Sequence, residues 1–413
     1  MTPAVDVHLS TGPRGEKRLV GRARFNLRRG RVSTMFSYDE SYLADPSSFP
    51  IDPALPLVTS SSHSDGLPGA LRDSLPDRWG RHLIAKQLRS ESKGQLRTLD
   101  DVDYLLGVHD GARQGALQLT APDDDIPLSR LGNVPPRIDL KRLIAASNNV
   151  ALGSGGAEDI KALLEAGSGS LGGARPKASV IDEDKLLLAK FSHPGDEWNV
   201  MAWEKFALEV AATANIASPR SQLIRIDTDS SLLLERFDRE GSLFHGRRIP
   251  YISAMTLLGA NDGEGRDYAE VAESLVDLAS NPGAELAELF SRVALSIALH
   301  NTDDHLRNLG FLRADGAWRL APCFDINPNP HLADMRSTTV FGEAGGSEAE
   351  GLAELAPTCG LSSQEAAERV SAILDAMGNW KRIARRCGCP KAETALFEPV
   401  FSDRCAALEK AFL

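Results

Sequence analysis

The stretch His300-Asn-Thr-Asp303-Asp-His305-Leu-Arg-Asn308 constrains this chain more than any other. It closes a run of helical periodicity over 284–300. It precedes a segment, 309–320, in which Ala-Asp315-Gly316 between apolar runs predicts a hairpin turn. A second carboxylate, Asp325, follows that hairpin in Pro322-Cys-Phe-Asp325. Phosphoryl transfer to a hydroxyl needs one carboxylate to accept the proton and further oxygens to hold Mg²⁺. Asp303, Asn308 and Asp325 supply that set in the spacing protein kinases use, with Asp303 as base and Asn308 and Asp325 as metal ligands. Asp and Asn clusters after helices also serve as caps and turns, so the pattern needs support from elsewhere in the chain.

Upstream, Gly167-Ser-Gly169-Ser-Leu-Gly172 matches G-x-G-x-x-G. Alone it is a weak signal. A dinucleotide loop follows a strand and opens a helix, whereas here a helix precedes the loop and a hairpin follows it. That order is nearer to a kinase loop, which covers phosphates with backbone N–H groups. No G-x-x-x-x-G-K-[ST] occurs, which disfavours a P-loop NTPase. Lys190 lies in the apolar strand Leu186-Leu-Leu-Ala-Lys-Phe191, where burial is costly unless the ammonium is paired. A kinase uses such a lysine for the nucleotide phosphates, supported by a helix glutamate. Glu204, on the next helix, is the candidate partner.

The rest of the chain sorts into three parts. Residues 1–125 open with strand-like pieces, Arg18–Phe25 and Val32–Tyr38, around an Arg-Arg-Gly turn at 28–30. The arginines between Arg22 and Arg31 read as a solvated strand face. A Pro- and Ser-rich loop is expected over 45–68, then helices near 76–88 and 100–106 and a strand at 115–119. Residues 126–260 mix helix and strand. They carry helices at 140–146, 158–166 and 198–214 and strands at 178–181, 186–191, 223–225 and 231–237. From 261 to 413 the periodicity is mostly helical. The fold class expected is α+β, a two-lobed protein-kinase-like fold with a mixed α/β N-terminal part and a helical C-terminal lobe.

Charge and composition remove other classes. Lys and Arg number 46 against 57 Asp and Glu, so the net charge is −11, which argues against nucleic-acid wrapping as the main activity. Five scattered cysteines do not make a disulfide framework. The first residues lack a basic n-region and an apolar core, and no apolar run approaches the roughly 18 residues of a membrane helix. A cytoplasmic protein is expected.

Taken together, Gly172-Gly-Ala-Arg-Pro-Lys177, Glu235-Arg-Phe-Asp-Arg239, Asn301-Thr-Asp-Asp-His-Leu-Arg-Asn308 and Phe324-Asp325 resemble the HipA family of serine/threonine kinases, toxins of bacterial toxin–antitoxin pairs. Phe36-Ser-Tyr38, Leu55-Pro-Leu57, Asp73-Ser-Leu-Pro-Asp77 and Gly115-Ala116 extend the resemblance through the N-terminal part. It implies ATP and Mg²⁺ as cofactors. It implies ATP binding by Gly172, Gly173, Ala174, Lys177, Lys190, Glu235, Phe237 and His305, with Glu235 and Phe237 beside adenine. Arg236, Asp238 and Arg239 would hold that segment by ion pairs. It further implies autophosphorylation on Ser170, with Ser168 the second candidate. The partners implied are a HipB-like helix-turn-helix antitoxin, operator DNA reached only through that antitoxin, and a protein substrate such as an aminoacyl-tRNA synthetase. The sequence departs from the family at Arg175-Pro176, which stiffens the loop.

Two alternatives stay open. A small-molecule phosphotransferase on the same fold needs the same Asp303/Asn308/Asp325 trio. A catalytically silent partner in a repressor complex would not need the trio at all.

Overall fold

The computed structural model describes residues 4–12, 16–91, 98–124, 126–128, 134–168, 170, 175–242 and 246–413. The Gly172, Gly173 and Ala174 positions lie outside them. The chain forms two compact units, Met1–Gly195 with Glu235–Ile252, and Asp196–Leu234 with Ser253–Leu413.

The first unit is built on a five-stranded sheet. Its strands are β1 (Ala4–Leu9), β2 (Arg18–Arg28), β3 (Arg31–Tyr38), β4 (Ser62–Asp65) and, after helices α1 (Arg78–Glu91) and α2 (Asp101–Gly107), β5 (Leu117–Thr120). The order is β4-β3-β2-β1-β5. Alternation along β2 explains its placement: Val20, Ala23 and Phe25 are buried, while Arg24 and Asn26 face out. The β2–β3 turn has Arg29 and Gly30 both at positive φ, 49° and 77°, the twist that suits a two-residue hairpin. Two strands were not expected. β1, which pairs with β5, lies in the N-terminal segment where no strand is expected, and β4 falls inside the predicted loop over 45–68. β4 is only four residues of Ser, His and Asp, too polar to show a strand pattern.

Helices α3 (Leu140–Ala151) and α4 (Ala157–Glu165) lead to the hairpin β6 (Lys177–Asp182) and β7 (Lys185–Phe191). An ionic cluster explains why the segment from Glu235 belongs to this unit. Asp238 accepts from Arg236 at 2.6 Å, Arg239 at 2.9 Å and the Gly115 N–H at 2.7 Å. Burial alone would raise the Asp238 pKa, but the two guanidinium groups outweigh it and hold the carboxyl below its usual range. Arg236 and Arg239 also donate to the Ala112 and Arg113 carbonyls, fixing the 110–115 loop.

The second unit starts with α5 (Val200–Thr213), capped by Asn199, whose Oδ1 accepts from the Ala202 N–H at 3.1 Å. The antiparallel pair β8 (Ser221–Ile226) and β9 (Asp229–Glu235) follows. The helices are then α6 (Tyr268–Leu278) and α7 (Pro282–Ala298). After the hairpin β10 (Gly310–Ala314) and β11 (Ala317–Leu320) come α8 (Glu348–Thr358), α9 (Ser363–Gly378), α10 (Trp380–Arg386) and α11 (Thr394–Phe412). Pro282 opens α7 at a position where its missing N–H costs nothing. Leu289, Phe290, Val293 and Ala294 bury one side of it completely. α5 and α11 meet through stacked rings, with Trp203 and Phe397 centroids 3.8 Å apart. Among the described residues no helix is long and apolar enough to cross a membrane.

Candidate active site

The loop carrying Asp303 is launched by the way α7 ends. Leu299 caps the helix after Ala298, and His300 takes φ = 49°. The His300 N–H donates to the Ile297 carbonyl and the Asn301 N–H to the Ser296 carbonyl, both at 2.9 Å. This is a Schellman ending with histidine where glycine is usual. The His300 ring stays in the turn through Nε2, 3.0 Å from the His331 carbonyl, and burial lowers its pKa.

Beyond that turn, two adjacent aspartates meet opposite environments. The Asp304 side chain is only 5% exposed and is ion-paired to Arg336. Its Oδ2 also accepts from the Tyr268 hydroxyl at 3.0 Å and the Ser296 hydroxyl at 3.2 Å. Burial alone would depress the Arg336 pKa, but Asp304, Tyr268 and Glu348 raise it. Glu348 is shared between Arg336 and Arg404, so the loop rests on a buried charge chain. Asp303 instead stands 72% exposed, with the His305 Nε2 3.7 Å from its Oδ1. Asn308 closes the loop: its Nδ2 donates to the Asp303 carbonyl at 2.8 Å. With Nδ2 so used, a cation would meet the Oδ1 end of that amide.

Asp325 follows β11 with φ = 58°, a left-handed conformation that is uncommon away from glycine. Asn327 donates through Nδ2 to the Asp325 Oδ1 at 3.2 Å, and its N–H donates to the Asn301 Oδ1 at 3.1 Å. Asn329 donates through Nδ2 to the Thr302 hydroxyl at 2.8 Å, and its N–H reaches the His300 carbonyl at 3.2 Å. The segment after Asp325 is thereby tied to the Asp303 loop, and Asp303, His305, Asn308 and Asp325 share one hydrogen-bonded framework. Sequence reasoning passed over Asn301, Asn327, Asn329 and Arg336. The run Asn327-Pro-Asn329-Pro was a usable signal, since it places side-chain amides in turns right after a carboxylate. Among the described residues no group of three or more His, Cys, Asp or Glu side chains is arranged to hold a metal. One carboxylate and one amide fit Mg²⁺ instead, which takes few protein oxygens and completes its shell with phosphate and water.

The remaining candidates, Glu204 apart, belong to the first unit. Gly167 opens the G-x-G-x-x-G stretch, of which Gly169 and Gly172 lie outside the described residues. It ends α4 at φ = 64° in another Schellman turn, with the Gly167 N–H donating to Leu164 and the Ser168 N–H to Leu163, both at 2.9 Å. A Cβ there would come within 2.3 Å of the Ala112 methyl carbon. Ser168 and Ser170 are both buried; the Ser168 hydroxyl donates to the Lys177 carbonyl, and the Ser170 hydroxyl to the His109 carbonyl at 3.4 Å. Lys177 and Lys190 are direct cross-strand neighbours on β6 and β7, and both are buried. Lys177 pairs with Asp77 at 2.6 Å, and the same Asp77 accepts the Gly80 N–H at the start of α1. Glu235 pairs with Lys185 at 2.7 Å, and the Phe237 ring lies 6.3 Å from that of Tyr251. Glu204 is fully buried on α5.

A mixed sheet-and-hairpin unit and a largely helical unit bearing this loop define an α+β chain of kinase-like fold. The chain belongs to the HipA-like family: the HipA-like C-terminal domain matches residues 169–381, more than half of the chain, and the HipA N-terminal domain matches residues 16–108. Among solved structures it is similar to the HipA toxin of Shewanella oneidensis MR-1, determined with HipB and operator DNA. That match has a TM-score of 0.69 at 14% identity and covers 98% of this chain and 97% of the other. A proinflammatory kinase of Helicobacter pylori, CtkA, aligns with a TM-score of 0.40 at 13% identity, covering 57% of this chain and 94% of its own. No curated protein matches the chain in sequence.

Proposed function

We propose that this protein is an ATP- and Mg²⁺-dependent serine/threonine protein kinase, the toxin of a HipA/HipB-type toxin–antitoxin module. One observation carries the reading. Of two neighbouring aspartates, Asp304 is buried in an ion pair and Asp303 is held out to solvent, with Asn308 bonded to its own carbonyl. The Asp303 backbone is anchored by Asn308 while its carboxylate stays open to a reactant.

In this reading Asp303 accepts the proton of the attacking hydroxyl. Asn308 and Asp325 offer oxygens to Mg²⁺, which supplies charge neutralisation at the phosphates when bound. Lys190 binds phosphate oxygens, with Glu204 as its supporting carboxylate and Lys177, Gly172, Gly173 and Ala174 as further nucleotide contacts. Glu235 and Phe237 flank the base. His305, beside Asp303, orients the loop. The antitoxin is a HipB-like helix-turn-helix protein, through which the complex reaches operator DNA. The substrate is a serine of a translation enzyme such as an aminoacyl-tRNA synthetase, and the cell compartment is the cytoplasm. Autophosphorylation falls on Ser170, or on Ser168. Both are buried here, so transfer requires that segment to leave its packing. A phosphate of about −1.5 to −2 charge would then oppose its return beside nucleotide phosphates.

The test is incubation of the full chain with Mg-ATP and phosphosite mapping by mass spectrometry, with Asp303→Asn as control. Phosphate on Ser170 or Ser168, absent from the variant, supports the reading. ATP binding without phosphate on this chain or on any lysate protein refutes it.

A further inference from the structure

The β2–β3 hairpin leaves the core after Phe25. Residues 26–31 are all exposed, including Leu27 at 43%. Arginines crowd this ribbon, and they divide into two kinds. Arg18 and Arg22, near the core, are paired with Asp45 and Asp6 at 2.9 and 2.5 Å. Arg24, Arg28, Arg29 and Arg31 make no ion pair among the described residues. Arg28 and Arg31 sit directly opposite each other across the ladder, where like charges destabilise a hairpin. In a chain of net charge −11, this is a local reversal of sign held at a cost.

The ladder register puts further groups on the face of Arg24. Arg24 opposes Met35, Asn26 opposes Ser33, and Met35 opposes His63 on the edge strand β4. These side chains line a groove of about 620 Å³ in which Asp65 is the single acid. The groove offers amide, hydroxyl and imidazole groups beside the unpaired guanidinium groups.

We infer that this ribbon binds the phosphate backbone of duplex nucleic acid directly, independently of any antitoxin. Charge complementarity selects a polyanion. The charges are all arginine, whose planar fork engages phosphate oxygens two at a time. Arg24, Asn26 and Arg28 recur on one face at steps of about 7 Å, two residues of a strand. A protruding two-stranded ribbon is also a shape that the major groove admits. An acidic protein surface would satisfy the charge but gives no reason for a protruding ribbon. The inference does not depend on the kinase reading, and its failure would leave that reading untouched.

The test is fluorescence anisotropy of a labelled mixed-sequence duplex with the full chain over 50–200 mM salt. Wild type binds with a Kd of about 1–100 μM at the low end. Log affinity falls against log salt with a slope near −3.6, as expected for about four neutralised phosphates. Arg28→Glu/Arg29→Glu/Arg31→Glu weakens binding at least tenfold and flattens the slope. The same charge change placed on α3 and α4, Lys141→Glu/Arg142→Glu/Lys161→Glu, has less than a threefold effect. Matching thermal unfolding of both variants and wild type secures the comparison. Absent binding at 50 mM salt, or equal losses in the two variants, overturns the proposal. So does competition by polyglutamate as effective as by unlabelled duplex, which would assign the ribbon to an acidic protein.

Discussion

Asp303 and Asp304 are adjacent and chemically identical, yet their removal should have opposite consequences. Asp304→Ala strips Arg336 of its closest partner and takes the acceptor from the Tyr268 hydroxyl, while the Ser296 hydroxyl keeps the Asn301 carbonyl at 3.3 Å. Removing one member of a buried ion pair costs about 3–5 kcal/mol. The hydroxyl bonds are part of that figure, and Glu348, 3.8 Å from the Arg336 Nε, offsets some of it. At about 2–4 °C per kcal/mol for a unit of this size, the melting temperature should drop by roughly 6–20 °C. Asp303, at 72% exposure, should change stability by less than about 0.5 kcal/mol when made Asn. Phosphoryl transfer should nevertheless fall about a hundredfold or more with the base gone. Scanning calorimetry and an Mg-ATP phosphorylation assay on the two variants separate these effects. If Asp304→Ala melts within 2 °C of wild type, the buried charge chain does not hold the loop. If Asp303→Asn keeps full transfer, Asp303 is no base.

Two further outcomes follow from backbone geometry and charge. Gly167→Ala should lose about 3 kcal/mol in urea unfolding, because it adds a close approach to Ala112 to the left-handed strain. Gly153→Ala, left-handed too but with open space around its Cβ, should lose only about 1 kcal/mol, and equal losses would remove the packing argument. His300 has a folded pKa below the ordinary 6.5, so the folded state binds fewer protons than the unfolded one. Its stabilising contribution is complete above about pH 6.5 and is lost as pH falls through the lower folded value. Melting temperature should therefore fall more between pH 7.5 and 5.5 in wild type than in His300→Asn, which tolerates the same left-handed turn without titrating. Parallel pH profiles for the two proteins would contradict this.

What could be read without coordinates was local. The hairpin at Asp315-Gly316 and the helices over Tyr268–Leu278, Pro282–Ala298 and Ser363–Gly378 announce themselves because turn chemistry and apolar spacing act within a few residues. β1 was missed although its neighbour β2 follows closely in sequence; only its other partner, β5, is distant. α8 was hidden because it carries an internal Pro357 and few large apolar residues. The Asp303 loop was legible as a spacing. Its support was not, since Arg336 and Tyr268 lie 32 and 36 residues away on either side and nothing local marks them as partners of Asp304.

The same division recurs where the motifs are densest. Of two neighbouring aspartates, one is fixed in a buried ion pair and one is exposed. Gly167, first in the glycine-rich stretch, serves as a helix ending. A site that must hold charge in fixed positions needs rigid neighbours, and charged or left-handed residues beside it are the ones near enough to supply that rigidity. A motif counted in sequence therefore mixes residues that face the reactants with residues that hold them. Only burial and hydrogen bonding separate the two, as they do for Asp303 and Asp304.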